Sequence, residues 1–226
     1  MTVAVIRFSA SNCDQDTRYV FEQVLQTSSE FVWQDDTELP SQVKAVVLPG
    51  GFSFGDYLRA GAIAAHRPIM NAVKRFANAG GPVLGICNGF QILCEAKILP
   101  GILMPNNHNR FVCKNVALRV SGGGQGALKT YKKDELITLP IAHHDGRFLA
   151  SPDELQRLRS TGSIALQYSD VDEQGNALVN GSLRSIAGIF GGPNRNVLGL
   201  MPHPERRSEA ILGGVDGIRM LQSLIA

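Results

Sequence analysis

The chain has 226 residues, of which 44% are hydrophobic and 19% are charged. This length and composition are typical of a soluble globular protein with one substantial core, so we predict a single domain over residues 1–226. The net charge of 22 − 20 = +2 is too small to favour nucleic acid or a membrane surface as partner. No apolar run approaches the roughly 20 residues that span a bilayer, and no N-terminal signal is visible. Four cysteines without a C-x-x-C pair favour a reduced, cytoplasmic protein.

Strand-like and helix-like segments alternate through the first half of the chain. The apolar patterns predict strands at residues 3–8, 30–33, 43–48 and 83–86. Helical spacing of apolar residues predicts helices at residues 14–26 and 69–79. This alternation indicates an α/β fold with a parallel sheet, in which reactive groups gather at the carboxyl ends of the strands.

The second half is less regular. We predict strands at residues 110–120, 137–143, 164–168 and 185–189, and helices at residues 152–159, capped by Ser151, and 217–225. The glycine-rich run at residues 121–126 predicts a flexible loop. A phosphate cradle is disfavoured there because no Lys-Ser/Thr pair follows the glycines.

Cys87 lies at the centre of the stretch Gly85-Ile86-Cys87-Asn88-Gly89-Phe90-Gln91, directly after an apolar strand. Glycines on both sides admit a strained turn, and a helix N-terminus behind the cysteine favours its thiolate. The pattern indicates a nucleophile for covalent catalysis. The alternative is a small buried cysteine in an ordinary glycine turn.

His203 and Glu205 form a second candidate segment, which follows an apolar strand that begins near residue 196. Prolines flank His203 on both sides and keep the loop extended, so the two side chains point roughly the same way. A cysteine nucleophile needs a base, and the base needs a carboxylate that orients it. Cys87, His203 and Glu205 supply these three roles. The alternatives are a surface histidine and a carboxylate paired with the two arginines that follow it.

These motifs resemble the class I (triad) glutamine amidotransferases. A third matching segment is Leu48-Pro49-Gly50-Gly51-Phe52-Ser53-Phe54-Gly55-Asp56. Residues 49–65, 109–111, 139–143 and 199–206 are similar to one branch, the stand-alone glutaminase subunit of phosphoribosylformylglycinamidine synthase in purine biosynthesis. The resemblance covers essentially the whole chain. It implies an open, mostly parallel sheet of the flavodoxin-like type, flanked by helices and carrying a nucleophile elbow.

The resemblance also implies a mechanism. Cys87 attacks the side-chain amide of glutamine and forms a glutamyl thioester, with release of ammonia and then of glutamate. Backbone N–H groups of the Gly50-Gly51 segment and of Asn88 are implied as the oxyanion hole, with Gly51 and Asn88 as the donors. Gln91 is implied as a substrate-binding residue, although an ordinary polar role on the helix is an equal alternative.

Ammonia is expected to pass to a separate large synthase subunit, and a small third subunit bridges the two in this branch. No G-x-x-x-x-G-K-[ST] motif occurs in the chain, so no cofactor is expected here, and ATP and Mg are expected on the synthase. Candidate interface residues are Arg110, His143, His144 and Arg147, for which a plain surface role is as good a reading. The two adjacent histidines could suggest a metal, but no third ligand stands at a sensible spacing.

One departure from the branch follows His143. Members usually continue with Gly-Glu-Gly-Arg, whereas this chain has His144-Asp145-Gly146-Arg147. The competing functions are a glutaminase subunit of another synthase, a related cysteine hydrolase, and a catalytically silent docking protein of the same fold. The intact set of cysteine, histidine and glutamate argues against the last of these.

Overall fold

The computed structural model describes residues 2–226. Within this part of the chain the strands are β1 (Thr2–Arg7), β2 (Ser28–Trp33), β3 (Val43–Leu48), β4 (Val83–Ile86), β5 (Ile102–Met104), β6 (Val112–Val120), β7 (Leu136–His143), β8 (Arg147–Leu149), β9 (Ile164–Tyr168), β10 (Ile186–Gly191) and β11 (Val197–Leu200). The α-helices are α1 (Asp14–Tyr19), α2 (Ile69–Asn78), α3 (Asn88–Glu95), α4 (Pro152–Ser160) and α5 (Ile218–Ile225). Short 3-10 turns cover Ser53–Asp56, Ala64–His66, Gly126–Leu128, Leu183–Ser185, Pro204–Arg207 and Ala210–Leu212.

The central sheet has nine strands in the order β2-β1-β3-β4-β11-β10-β9-β6-β7. The five strands from β2 to β11 pair in parallel, and the pairings from β11 to β7 are antiparallel. Strands β3, β4 and β11 are buried almost throughout, which explains why they read in the sequence as continuous apolar runs. The predicted parallel sheet with flanking helices is confirmed, and four antiparallel strands extend it.

Most predicted elements lie within two residues of their observed ends, with one clear difference in the first helix. The predicted helix at residues 14–26 is α1 followed by a π-helical turn, Val20–Val24. Ser151 caps α4 as predicted: its hydroxyl accepts from the backbone N–H of Glu154, whose carboxylate accepts from Ser151 in return. Strands β5 and β8 were not predicted, because three residues are too few to show a period of two.

The parallel strands β3, β4 and β11 are neighbours, and this adjacency builds the site. Leu48 lies opposite Gly85, and Ile86 lies opposite Leu200, so the three strands end at the same edge of the sheet. The segments that follow them carry the Gly50-Gly51 pair, Cys87 and His203. Carboxyl ends of adjacent parallel strands are where open α/β sheets place their ligands.

The glycine-rich run at residues 121–126 is compact. A Cβ at Gly122 would lie 2.6 Å from the Phe190 ring, and the Gly124 N–H donates to the carbonyls of Leu128 and Tyr131. The Ser121 and Gly122 N–H groups donate to the carbonyl of Ala165, so three backbone donors of this run are used within the fold. Among the helices of residues 2–226, none combines the length and apolarity that crossing a membrane requires.

Candidate active site

Cys87 occupies a strained elbow between β4 and α3. Its backbone has φ 50° and ψ −103°, a conformation that residues other than glycine rarely adopt. The thiol is buried, and Sγ lies 3.7 Å from the carbonyl oxygen of Ala142 on β7. Because Cys87 is the N-cap residue of α3, it lies at the helix N-terminus, where N–H groups without helical partners carry partial positive charge.

The elbow depends on close backbone packing behind Cys87. A Cβ at Gly89 would lie 2.0 Å from the carbonyl oxygen of Leu48, and one at Gly85 would lie 2.8 Å from the backbone of Gly89. Real Cβ atoms do not approach backbone so closely. The first turn of α3 is therefore pressed against the end of β3, which explains the two glycines of the sequence motif.

His203 and Glu205 form a buried pair beside the elbow. His203 Nδ1 lies 2.5 Å from Glu205 Oε1, and both side chains are 2% exposed or less. The backbone N–H of His203 donates to the carbonyl of Pro140 at 2.8 Å, and this hydrogen bond connects the loop to β7. The carboxylate is thus in a position to fix the ring orientation and its Nδ1–H tautomer. The other ring nitrogen, Nε2, is buried without a hydrogen-bond partner.

Charge around His203 favours the imidazolium. Burial on its own disfavours the charged ring, but Glu205 and then Cys87 outweigh that effect and raise the pKa of His203 to about 10. At neutral pH the ring holds a proton that a leaving amine can accept. The arrangement has the chemical properties of a nucleophile, an acid–base group and an orienting carboxylate.

Cys13, a residue without a predicted role, lies close to His203 and Glu205. The ligand atoms of Cys13, His203 and Glu205 fall within 4.8 Å of one another. This set does not fit a metal site well, because the Arg206 guanidinium already lies 3.0 Å from Cys13 Sγ and supplies the local positive charge. The available signal in the sequence was position alone: Cys13 follows the carboxyl end of β1, next to β3 in the sheet.

The predicted oxyanion segment packs directly on the triad. A Cβ at Gly50 would lie 2.7 Å from His203 Cε1, so only glycine fits against that ring. Gly51 has φ +140°, and a Cβ there would lie 2.8 Å from the Asn12 backbone nitrogen. Asn88 joins this segment to the elbow, since its Oδ1 accepts from the Ser53 N–H at 3.1 Å. The roles of Gly51 and Asn88 as oxyanion donors stay predictions.

Gln91 is buried one turn into α3 and is held at both ends of its amide. Its Oε1 accepts from Asn88 Nδ2 at 2.9 Å, and its Nε2 donates to the carbonyl of Asp145 at 2.6 Å. Gln91 therefore connects the elbow to the loop at which this chain departs from its branch. A direct contact with substrate stays a prediction.

The loop after His143, where this chain differs from its branch, contains a pair formed by His144 and Asp145. His144 Nδ1 lies 2.5 Å from Asp145 Oδ1, and the His144 ring is half exposed. Burial, and then the charge of Asp145, raises the pKa of Asp56 to about 6, while His144 acts in the opposite direction. Two carboxylates and a histidine thus interact near the Asp145 carbonyl that Gln91 contacts.

His143 is not a surface residue, so its prediction as an interface contact is wrong. It is the last residue of β7, faces inward and is 2% exposed, with neither ring nitrogen hydrogen-bonded. The ring lies over Gly146, where a Cβ would approach it to 2.2 Å. The other interface candidates remain accessible: Arg110 and His144 are exposed, and Arg147 is half-buried.

We predict that His143 makes the protein sensitive to mild acid. Burial, reinforced by His203, lowers the pKa of His143 from 6.5 to about 4. The unfolded chain takes up this proton below about pH 6.5, whereas the folded chain does not, so stability falls as the pH drops from 6.5 towards 4. The full loss is about 3 kcal/mol.

Urea unfolding at pH 7 and pH 4.5 measures this effect. In His143→Phe, which cannot titrate, the decrease in the free energy of unfolding between the two pH values should be smaller by about 2 kcal/mol. The exposed neighbour provides the control, and His144→Gln should keep the dependence of the unsubstituted protein. An unchanged dependence in His143→Phe would refute the assignment.

Comparison with known proteins agrees with this site. The family described as the CobB/CobQ-like glutamine amidotransferase domain matches residues 1–213. The chain belongs to this family. Its predicted resemblance to glutamine amidotransferases is therefore confirmed.

Individual relatives are similar over their whole length. The chain is 47% identical over 225 residues to the phosphoribosylformylglycinamidine synthase subunit PurQ of Zymomonas mobilis, covering 100% of this chain and 98% of the relative. It is 47% identical over 230 residues to the protein of the same name from Aquifex aeolicus, covering 100% of both. A chain in the structure of PurLQS from Thermotoga maritima superposes with a TM-score of 0.87 at 38% identity, covering 99% of this chain and 97% of that one.

Proposed function

We propose that this amidotransferase chain is the glutaminase subunit of phosphoribosylformylglycinamidine synthase. It hydrolyses L-glutamine and delivers ammonia to a synthase subunit, which uses ATP to convert formylglycinamide ribonucleotide to its amidine in purine biosynthesis. One observation carries the proposal. The buried His203–Glu205 pair lies beside the Cys87 elbow, in a chain 47% identical along its whole length to subunits of that synthase.

The first chemical step forms the thioester. The Cys87 thiolate attacks the side-chain amide carbon of glutamine, and the carbonyl oxygen takes up negative charge. Backbone N–H groups of Gly51 and Asn88 stabilise this oxyanion, each donor contributing about 3 kcal/mol to the transition state. The carbon–nitrogen bond then breaks, and His203 gives its proton to the departing nitrogen, which leaves as ammonia.

The second step regenerates the enzyme. His203, now neutral, takes a proton from a water molecule, and the resulting hydroxide attacks the thioester carbonyl. Glutamate departs and leaves Cys87 as thiolate beside a protonated His203. Glu205 keeps the ring in place through both proton transfers, because its hydrogen bond is to the nitrogen that does not exchange protons with the substrate.

The chain acts as part of an assembly. Its partners are a large synthase subunit and a small bridging subunit, in agreement with its similarity to a chain of the PurLQS structure. We propose that residues 1–226 work as one domain, that the chain itself uses no cofactor, and that ATP and Mg bind to the synthase. A cytoplasmic location follows from this proposed role in purine synthesis.

Reconstitution with the synthase subunits of the same organism tests the function. With formylglycinamide ribonucleotide, ATP and glutamine present, glutamate release should rise strongly on assembly and match amidine formation one to one. The isolated chain is expected to be slow, since docking completes many such sites. Glutamate release that never couples to amidine formation would instead point to a glutaminase of another synthase. No release by chain or complex would favour a docking protein.

A further inference from the structure

We propose that Arg206 is a positioning residue of the triad, which uses Cys13 as its anchor to hold the Glu205 carboxylate against His203. The inference deepens the proposed function, since it concerns the same site. Neither Arg206 nor Cys13 has a role in the proposed mechanism, which uses Cys87, His203 and Glu205.

The guanidinium of Arg206 lies among three groups. Its Nη2 donates to Cys13 Sγ at 3.0 Å, and its Nε lies 3.8 Å from Glu205 Oε1 and 4.0 Å from Asp16 Oδ2. Glu205 Oε1 is therefore placed between the imidazole, at 2.5 Å, and the guanidinium. The contact between Nη2 and the Cys13 sulfur fixes the end of the arginine side chain. The ion pairs with the two carboxylates are made by Nε.

Glu205 needs a contact besides His203 that holds it in place. Its side chain is fully buried, and Oε2 has no hydrogen-bond partner. A buried carboxylate is costly unless it is paired. During turnover His203 gives its proton to ammonia and becomes neutral, so for that interval a weaker hydrogen bond from the imidazole holds the carboxylate. Arg206 stays charged at every step, because a guanidinium does not lose its proton in proteins.

Cys13 suits the role of an anchor and not that of a second nucleophile. Burial, and then the charge of Glu205, raises the pKa of Cys13 to about 12, although Arg206 opposes the shift. The group therefore remains a thiol, whose sulfur accepts from the guanidinium. Its position is fixed from the other side as well, because the Cys13 N–H donates to the carbonyl of Gly50 at 3.4 Å.

Arg207 provides a matched control one residue away. Its Nε pairs with Asp216 Oδ2 at 2.8 Å, and its backbone carbonyl accepts from Gly217. It carries the same charge in the same 3-10 turn but is engaged with a different acid. A comparison of Arg206→Lys with Arg207→Lys therefore separates the specific contact from the general effect of altering an arginine in this turn.

The first readout is steady-state glutaminase activity in the assembled complex. Arg206→Met should lower kcat by about 10- to 100-fold with KM for glutamine nearly unchanged, because the residue positions the acid–base pair and does not touch substrate. Arg206→Lys should fall between Arg206→Met and the unsubstituted protein, whereas Arg207→Lys should remain close to it. Equal losses in the two lysine variants, or a rise in KM alone, would overturn the proposal.

The second readout is the pKa of His203, followed by NMR of its ring in the full chain. The titratable and charged groups that face His203 are Glu205, Cys87, Cys13 and His143, and Asp16 adds its charge at Arg206. A guanidinium that acts only as a nearby positive charge lowers this pKa, so its removal would raise it. A guanidinium that holds Glu205 against His203 helps the carboxylate to raise the pKa of His203. Its removal then lowers this pKa by about one unit.

The sign of that shift decides between the two roles. A fall in Arg206→Met, with a smaller fall in Cys13→Ala, supports positioning, and a rise or no change refutes it. Cys13→Ala keeps the arginine but removes its anchor, and it serves if Arg206→Met does not fold. The NMR titration needs no turnover, so it tests the positioning role even if the reconstituted complex shows no amidotransfer and the proposed function fails.

Discussion

Replacing Cys87 with alanine is expected to abolish glutamine-dependent amidine formation by the complex, with a loss of about 10⁶-fold. The thiolate is the only proposed nucleophile, and the nearby Cys13 stays a thiol because burial raises its pKa. Alanine must still adopt the φ 50° backbone of the elbow, as cysteine does, so the fold around the site should persist. Coupled amidine formation with glutamine as nitrogen donor measures the effect.

Ammonium added in place of glutamine tests whether the loss is chemical. The Cys87→Ala complex should still form the amidine from free ammonia, because the synthase subunit is unchanged. Cys113, exposed on β6, is the matched control, and Cys113→Ala should behave as the unsubstituted protein. Retained glutamine-dependent activity in Cys87→Ala would contradict the mechanism. Loss of the ammonia-dependent reaction as well would show that the substitution disturbs assembly.

Replacing Glu205 with glutamine is expected to lower kcat for glutamine hydrolysis by about 10³- to 10⁴-fold, in line with amide substitution of the orienting acid in serine proteases. An amide NH₂ facing His203 Nδ1 would require an acceptor there. The ring proton would then reside on Nε2, and a neutral ring held in that tautomer cannot take a proton from water through Nε2. A pH profile of kcat, with Glu205→Asp as the conservative comparison, measures the effect.

The same substitution should shift the titration of His203. Glu205 contributes to the raised pKa of His203, which is about 10. In the pH profile of kcat, Glu205→Gln should therefore move the inflection caused by His203 to lower pH. The folded pKa lies above the unfolded value of about 6.5, so the stability contributed by the imidazolium is fully present below pH 6.5 and is lost as the pH rises towards 10. A near-normal kcat in Glu205→Gln, with the His203 inflection at an unchanged pH, would show that Glu205 does not orient the histidine.

Much of the local structure, and the residues of the candidate site, could be predicted from short stretches of sequence. The buried strands can be recognised because burial on both faces requires a run of apolar residues. The Cys87 elbow can be recognised because close backbone packing requires glycines on both sides of the cysteine. The prolines around His203 likewise restrict the loop locally. These features depend on a few neighbouring residues, and for this reason they can be read before the fold is known.

Which distant groups lie together depends on the order and pairing of the strands. Pairing of β4 with β11 brings His203 and Glu205 to Cys87, and pairing of β1 with β3 brings Cys13 to the same edge of the sheet. Burial of His143 also depends on the fold, since its strand alternates in a way that suits either a solvated or a covered face. Strand order arises from contacts between segments far apart in the chain, and no single short segment specifies it.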